Sequence, residues 1–215
     1  MKFLVLTDLH QKASNLSWIN RLIAERHPDA VLFLGDVTDM GTGEDTAEIL
    51  SSINAEVYVL PGNCDPRDMP AKIADVAVDM HGKAAKLGPY DLVGLGGSNK
   101  TIFDTPFELS EEEIDAKLRP LARKGMILMT HAPAYGTFDH IPNGTSVGSP
   151  AILKIVQEFR PLVALSGHIH EDIGARTIDG TLFCNPGPAR DGHCAILTVD
   201  GQHASVELLG PLDPA

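Results

Sequence analysis

Residues 30–39 read AVLFLGDVTD. Five apolar residues stand in a row with no polar alternation. That is how a strand looks when both its faces are covered, as at the centre of a parallel sheet. The run stops at Gly35-Asp36, and Asp39 follows three residues on. The same design recurs on either side: KFLVLT at 2–7 and EVYVLPG at 56–62 are also β-rich apolar runs. Between them, residues 14–27 place Leu16, Ile19, Leu22 and Ile23 at helical spacing, with Ser14 as the expected N-cap. Residues 43–53 read as a second helix, acidic at its start as the helix macrodipole favours. The first third of the chain therefore alternates β, α, β, α, β with short connections, the pattern of a parallel sheet covered by helices.

The rest is mixed. VAVDM (76–80), AAKLG (84–88) and DLVGLGG (91–97) read as short strands of a β-meander. Residues 110–125 open on a Ser-x-x-Glu capping box and close at Gly125, predicting a helix over the whole segment. MILMTH (126–131) is another buried strand, and 149–161 a helix with Pro150 in its first turn. LVALSGHIH (162–170) is a strand running into a loop. From Ile173 to Leu209 four strands follow, with hairpin turns expected at Asp-Gly 179–180 and 200–201. No linker or repeat interrupts the chain, so a single domain over 1–215 is expected, with two sheets packed face to face and helices outside.

Charge and composition narrow the partners. The chain has 215 residues and a formal net charge of −12, without a Lys/Arg cluster. Duplex nucleic acid and anionic membranes both need a basic footprint and are poor partners for it. No run approaches the ~20 apolar residues of a membrane span, and the apolar N-terminal run is too short for a signal sequence. A cytoplasmic location and reduced thiols at Cys64, Cys184 and Cys194 are expected.

Five apolar runs end in polar groups: Asp8-x-His10, Gly35-Asp36, Gly62-Asn63, His131 and Gly167-His168-x-His170. Ligands bind at the carboxyl ends of parallel strands. Singly, each signal is ambiguous: Asp8-x-His10 and Gly35-Asp36 also suit turns, Asn63 a turn cap, and His131 a buried structural histidine. Together they are two Asp, one Asn and four His, the donor types of borderline divalent metals. Seven donors exceed the need of one ion and suit two ions sharing a carboxylate.

This set, with Asp39 and Asp65 completing the second and third motifs, resembles the calcineurin-like metallophosphoesterases. The resemblance spans residues 8–170. It implies a four-layer α/β/β/α sandwich of two mixed sheets flanked by helices. It also implies that Asp8, His10 and His170 hold one metal, that Asn63, His131 and His168 hold a second, and that Asp36 bridges them. Asp36, Asn63 and His131 then count as the catalytic residues, while Asp39 and Asp65 orient a ligand or a loop. The metals of the family are Mn, Fe, Zn, Ni or Co. The stretches GLGGSNKTIFDTPFELSEEEI, THAPAYGTFDHIPNGTSVGS and NPGPAR are similar to the small prokaryotic, Icc-like or archaeal branch, which would put Ser98, Asn99 and His140 at the rim of the site. Two cations ~3.5–4 Å apart would hold a hydroxide that attacks phosphorus in line. A small phosphoester substrate is expected, and the resemblance also allows a homodimer.

Cys64, beside the substrate, stands where much of the superfamily has histidine. A thiol, with a pKa of ~8.5 against ~6.5 for imidazole, is poorly matched to protonating a leaving oxygen. That favours a phosphodiesterase. The alternatives on the same fold are a phosphomonoesterase (nucleotidase or phosphatase) and a non-catalytic scaffold.

Overall fold

The computed structural model describes residues 1–214. Ala215, the last residue of the expected single domain, lies outside them. Strand β1 (Lys2–Leu6) leads through α1 (Leu16–Arg26) to β2 (Ala30–Phe33), and β2 through α2 (Gly43–Ser51) to β3 (Val57–Val59). The three strands run parallel, as expected from their uninterrupted apolar sequences. After the short helix α3 (Met69–Lys72), β4 (Val78–Asp79) pairs parallel with β3. VAVDM is thus not part of a meander. Its two paired residues take the free edge of β3 instead.

Strands β5 (Lys83–Leu87) and β6 (Tyr90–Leu95) form a hairpin. A small pair, β7 (Ser98–Asn99) and β8 (Glu108–Leu109), closes the loop between them. Helix α4 (Glu111–Leu118) begins with the expected capping box: Glu113 N–H donates to Ser110 Oγ at 3.2 Å and Ser110 N–H to the Glu113 carboxylate at 2.7 Å. It ends well before Gly125, because Pro120 has no N–H to continue the ladder. Then come β9 (Ile127–Thr130), α5 (Pro150–Phe159) and β10 (Val163–Leu165). The tail forms β11 (Gly174–Ile178), β12 (Thr181–Asn185), β13 (Cys194–Asp200) and β14 (His203–Leu209). The first tail hairpin turns at Asp179-Gly180 as expected, since Ile178 pairs with Thr181. The second turns one residue later than expected, at Gly201-Gln202, since Asp200 pairs with His203.

Two six-stranded mixed sheets result, ordered β14-β13-β1-β2-β3-β4 and β11-β12-β10-β9-β6-β5. Side-chain alternation in β1 shows how they stack. Phe3 and Val5 point into a core shared with Leu92, Ile127, Met129 and Leu165 of the second sheet. Leu4 and Leu6 point the other way, against Trp18, Ile19, Ile49 and Leu50 of α1 and α2. The far face of the second sheet packs Val93 and Leu128 on Ile114, Leu118, Ile152 and Ile155 of α4 and α5. Three apolar clusters therefore separate four layers, helices outside and sheets within. The start of α1 differs in detail from the sequence reading. Its N-cap is Asn15 rather than Ser14, and Asn15 gives its side-chain amide to the carbonyls of Ala189 and Arg190. No helix among the described residues is long and apolar enough to cross a membrane.

Candidate metal centre

The loops after β1 and β2 are zipped together at their start. Leu34 N–H donates to Leu6 O, Asp8 N–H to Gly35 O, and His10 N–H to Asp36 O, at 2.8–3.0 Å. From the second sheet, Gly167 N–H donates to His131 O at 2.9 Å, joining the loops after β9 and β10. Four expected ligands sit in the left-handed backbone region: Asp8 (φ 53°), His10 (φ 47°), Asp36 (φ 51°) and His168 (φ 68°). Such conformations are costly for non-glycine residues and gather at functional sites. Gly62 makes room for this packing, because a Cβ there would run into the Asp36 carboxylate and backbone.

Asp8, His10 and His170 face one another. His10 Nε2 lies 3.4 Å from His170 Nε2. Asp8 Oδ1 lies 3.3 Å from His170 Nε2 and 3.8 Å from His10 Nε2. The other Asp8 oxygen is already occupied, by the Thr7 hydroxyl at 2.7 Å and His168 N–H at 3.1 Å. Oδ1 is buried without a hydrogen-bond partner. Burial opposes charge on Asp8. The histidines His170 and His131 and the Thr7 hydroxyl outweigh it and hold its pKa well below the usual carboxylate range.

His131 gathers the second group. Its Nδ1 is 2.9 Å from the Leu34 carbonyl, which can only accept, so the proton sits on Nδ1. Its Nε2 then faces Asn63 Oδ1, 2.9 Å away, while Asn63 Nδ2 donates to Thr105 Oγ1 at 3.1 Å. Two acceptors that close need a proton or a cation between them. Burial disfavours charge on His131, but Asp36 and Asp8 lift its pKa to about 9. Burial and the neighbouring His131 push His168 down to about 4. Asp36 lies between the groups, its Oδ2 3.4 Å from His131 Nε2 and 3.8 Å from His10 Nε2.

These residues fit divalent cations. All the ion-pair partners of the buried Asp8 and Asp36 are imidazoles. An orphaned carboxylate oxygen and converging imidazole nitrogens are the donor set of borderline metals. Three sets of donor atoms lie within 4.8 Å of one another here: Asp8, His10, His170; Asp8, Asp36, His131; and His10, Asp36, Cys64. His168 belongs to none of these sets and stacks edge-on with His131, ring centroids 5.0 Å apart. Cys64 enters one unexpectedly. Its N–H donates to Asp36 Oδ1 at 2.8 Å, and its half-buried thiol receives Asn63 Nδ2 at 3.4 Å. Burial and the Asp36 charge push that thiol far above its ordinary range, so it keeps its proton.

The supporting residues fall out differently from one another. Asp65 is buried and ties the loops: it accepts the N–H groups of Gly62, Val37 and Thr38 and the Thr38 hydroxyl at 2.8–3.2 Å. Burial and Asp36 raise its pKa to about 6. Asp39 is exposed, and among the described residues its carboxylate accepts no hydrogen bond. Ser98 is buried and turns inward onto the Asn99 carbonyl at 2.9 Å. Asn99 lines a groove beside His168. His140 is held off to one side by Asp172, Nδ1 to Oδ2 2.8 Å.

Thr7, Leu34, Thr105 and Glu108 also carry parts of the site, beyond the residues expected from the sequence. The Glu108 carboxylate accepts the N–H and hydroxyl groups of both Thr101 and Thr105. A glutamate inside the apolar run Phe107-Glu108-Leu109 was the available signal for it.

A family model described as calcineurin-like phosphoesterase matches residues 1–172. The chain is 34% identical to an uncharacterized protein of Methanocaldococcus jannaschii, over 87% of this chain and 88% of that one. It is 26% identical to the probable glycerophosphodiester phosphodiesterase GpdQ of Arcobacter nitrofigilis, over 76% of this chain and 64% of that one. A solved structure of an archaeal phosphodiesterase superposes with a TM-score of 0.61 at 13% identity, over 97% of this chain and all of that one, a likeness of fold alone.

Proposed function

This chain belongs to the calcineurin-like phosphoesterase family, and on that premise we propose that it is a phosphodiesterase working through two divalent cations. Asp8, His10 and His170 would hold one cation and Asn63, His131 and His168 the other, with Asp36 shared. When bound, such ions supply an activated water and neutralise charge on the phosphoryl oxygens. The observation that carries the reading is the buried Asp8 Oδ1, left without a donor and facing two imidazole nitrogens.

The chain's own groups hold the geometry. The Thr7 hydroxyl and His168 N–H fix the Asp8 carboxylate by its other oxygen. Cys64 N–H fixes Asp36. The Leu34 carbonyl keeps the His131 proton on Nδ1 and its lone pair facing the site. In the reaction the oxygen of water joins phosphorus, one P–O bond to an alcohol breaks, and a proton passes to the departing alcohol. Cys64 is badly suited to deliver that proton, which penalises basic leaving groups most. This, and the name of the Arcobacter relative, support diesters over monoesters.

The test compares bis(p-nitrophenyl) phosphate with p-nitrophenyl phosphate, with Mn²⁺, Fe²⁺, Zn²⁺, Ni²⁺ or Co²⁺ added. Faster turnover of the diester supports the proposal. Faster turnover of the monoester makes the chain a phosphomonoesterase, and hydrolysis of neither with any metal makes it a scaffold.

A further inference from the structure

A groove of about 390 Å3 opens beside the metal centre, with His168 in its wall. Its lining takes Ile102 and Phe103 from the loop between β7 and β8, Ile141 and Val147 from the loop after β9, and Asn99 from β7. Ile102 is 93% exposed and Phe103 74%, the two most exposed large apolar side chains of the described residues. Exposed apolar residues at a loop tip are ordinary when the loop is loose. This loop is stapled. Thr101 and Thr105 both bond the Glu108 carboxylate, and Phe103 N–H donates to Thr101 Oγ1 at 3.0 Å. Thr105 in turn receives Asn63 Nδ2, so the loop is one hydrogen bond from a proposed metal ligand. The facing wall is fixed as well: Asn99 Nδ2 donates to Val147 O at 3.1 Å, and His140 pairs with Ser146 across the loop.

We infer that this groove receives an apolar, aromatic-sized alcohol of the substrate ester, with the phosphoryl group at the metal centre. The inference rests on the phosphodiesterase reading above and names the substrate class for it. The groove's lining holds no carboxylate, so a cationic headgroup finds no counter-charge there, and Lys100 is its one charged residue. The volume suits one ring system with its attached atoms. A second copy or a protein partner seated in the groove would cover His168 and close the site, which disfavours either as the occupant.

Two diesters with the same leaving group separate the possibilities: methyl p-nitrophenyl phosphate and phenyl p-nitrophenyl phosphate. The phenyl ester should show the higher kcat/KM, by roughly tenfold or more if its ring is largely buried. Phe103→Ser and Ile102→Ser should each draw that ratio toward one, and Phe103→Leu should restore most of it. Isothermal titration with phenylphosphonate and methylphosphonate should give the same discrimination without turnover. Both residues are exposed, so the fold is not at risk in these variants. Equal affinity for phenylphosphonate and methylphosphonate, neither of which carries a second ring, or a phenyl preference that neither serine variant moves, overturns the inference while leaving the phosphodiesterase standing. Loss of a dimer in Phe103→Ser by light scattering, with the ratio unchanged, also overturns it and assigns the loop to chain–chain contact. Hydrolysis of neither ester with any metal overturns the phosphodiesterase reading itself.

Discussion

Asp36 occupies a demanding position. It is buried, has a left-handed backbone, and faces His10, His131 and Cys64 together. Asp36→Asn keeps the shape and removes the charge. Turnover should fall by at least ~100-fold, the usual scale for losing a group that acts in the transition state, and metal analysis should show at least one ion lost. Full activity would sink the shared-ligand assignment. Cys64→His places an imidazole at the edge of the same site, and the ratio of monoesterase to diesterase activity should rise. An unmoved ratio would mean that the thiol does not set substrate preference. At this scale the sequence was informative where a polar residue directly follows an apolar run. Asp8, Asp36 and His131 stand out for that reason. Thr105 and the Leu34 carbonyl do not, because each acts across 42 and 97 residues of chain respectively. One-dimensional spacing holds no record of such contacts, and an exposed Asp39 looks the same there as a buried Asp65.

At the scale of elements, the loop between β7 and β8 depends on one carboxylate. Glu108 is buried, which opposes its charge. The hydroxyl and N–H groups of Thr101 and Thr105 prevail and bring its pKa down from 4.5 to about 2. A folded-state pKa below the unfolded one means that the charged group stabilises the fold above pH ~4.5, and that this contribution is lost as pH falls toward 2. In urea titrations the stability difference between wild type and Glu108→Gln should be constant above pH 5 and shrink between pH 4.5 and about 2. A pH-independent difference would show that the carboxylate's charge is not what holds the loop. Helix α4 offers a second check: Ser110→Ala removes its N-cap and should cost about 1 kcal/mol. Most elements were legible because their periodicity is long enough to read. The edge strand β4, with only two paired residues, was misplaced because its partner is chosen by the open side of β3 rather than by its own pattern.

Over the whole molecule, the centre lies where the two sheets meet. Asp8, His10, Asp36 and Asn63 come from the first sheet, and His131, His168 and His170 from the second. Cations bound there would stabilise the folded state by mass action, about 2.7 kcal/mol for one site at a free concentration of 100 times Kd. Stripping them with a chelator should lower Tm by roughly 5–10 °C for a chain of this size. An unchanged melting curve after verified metal loss would mean that the centre does not contribute to holding the sheets together. The His131 contact with Leu34 has a consequence of a different kind. The atom that sets the imidazole's tautomer belongs to the peptide backbone, so changing the Leu34 side chain leaves it in place. An alanine scan from β2 through Leu34 would therefore register packing losses and miss this contact altogether. Replacing the peptide link after Leu34 with an ester, which weakens that carbonyl as an acceptor, is the perturbation that would reach it.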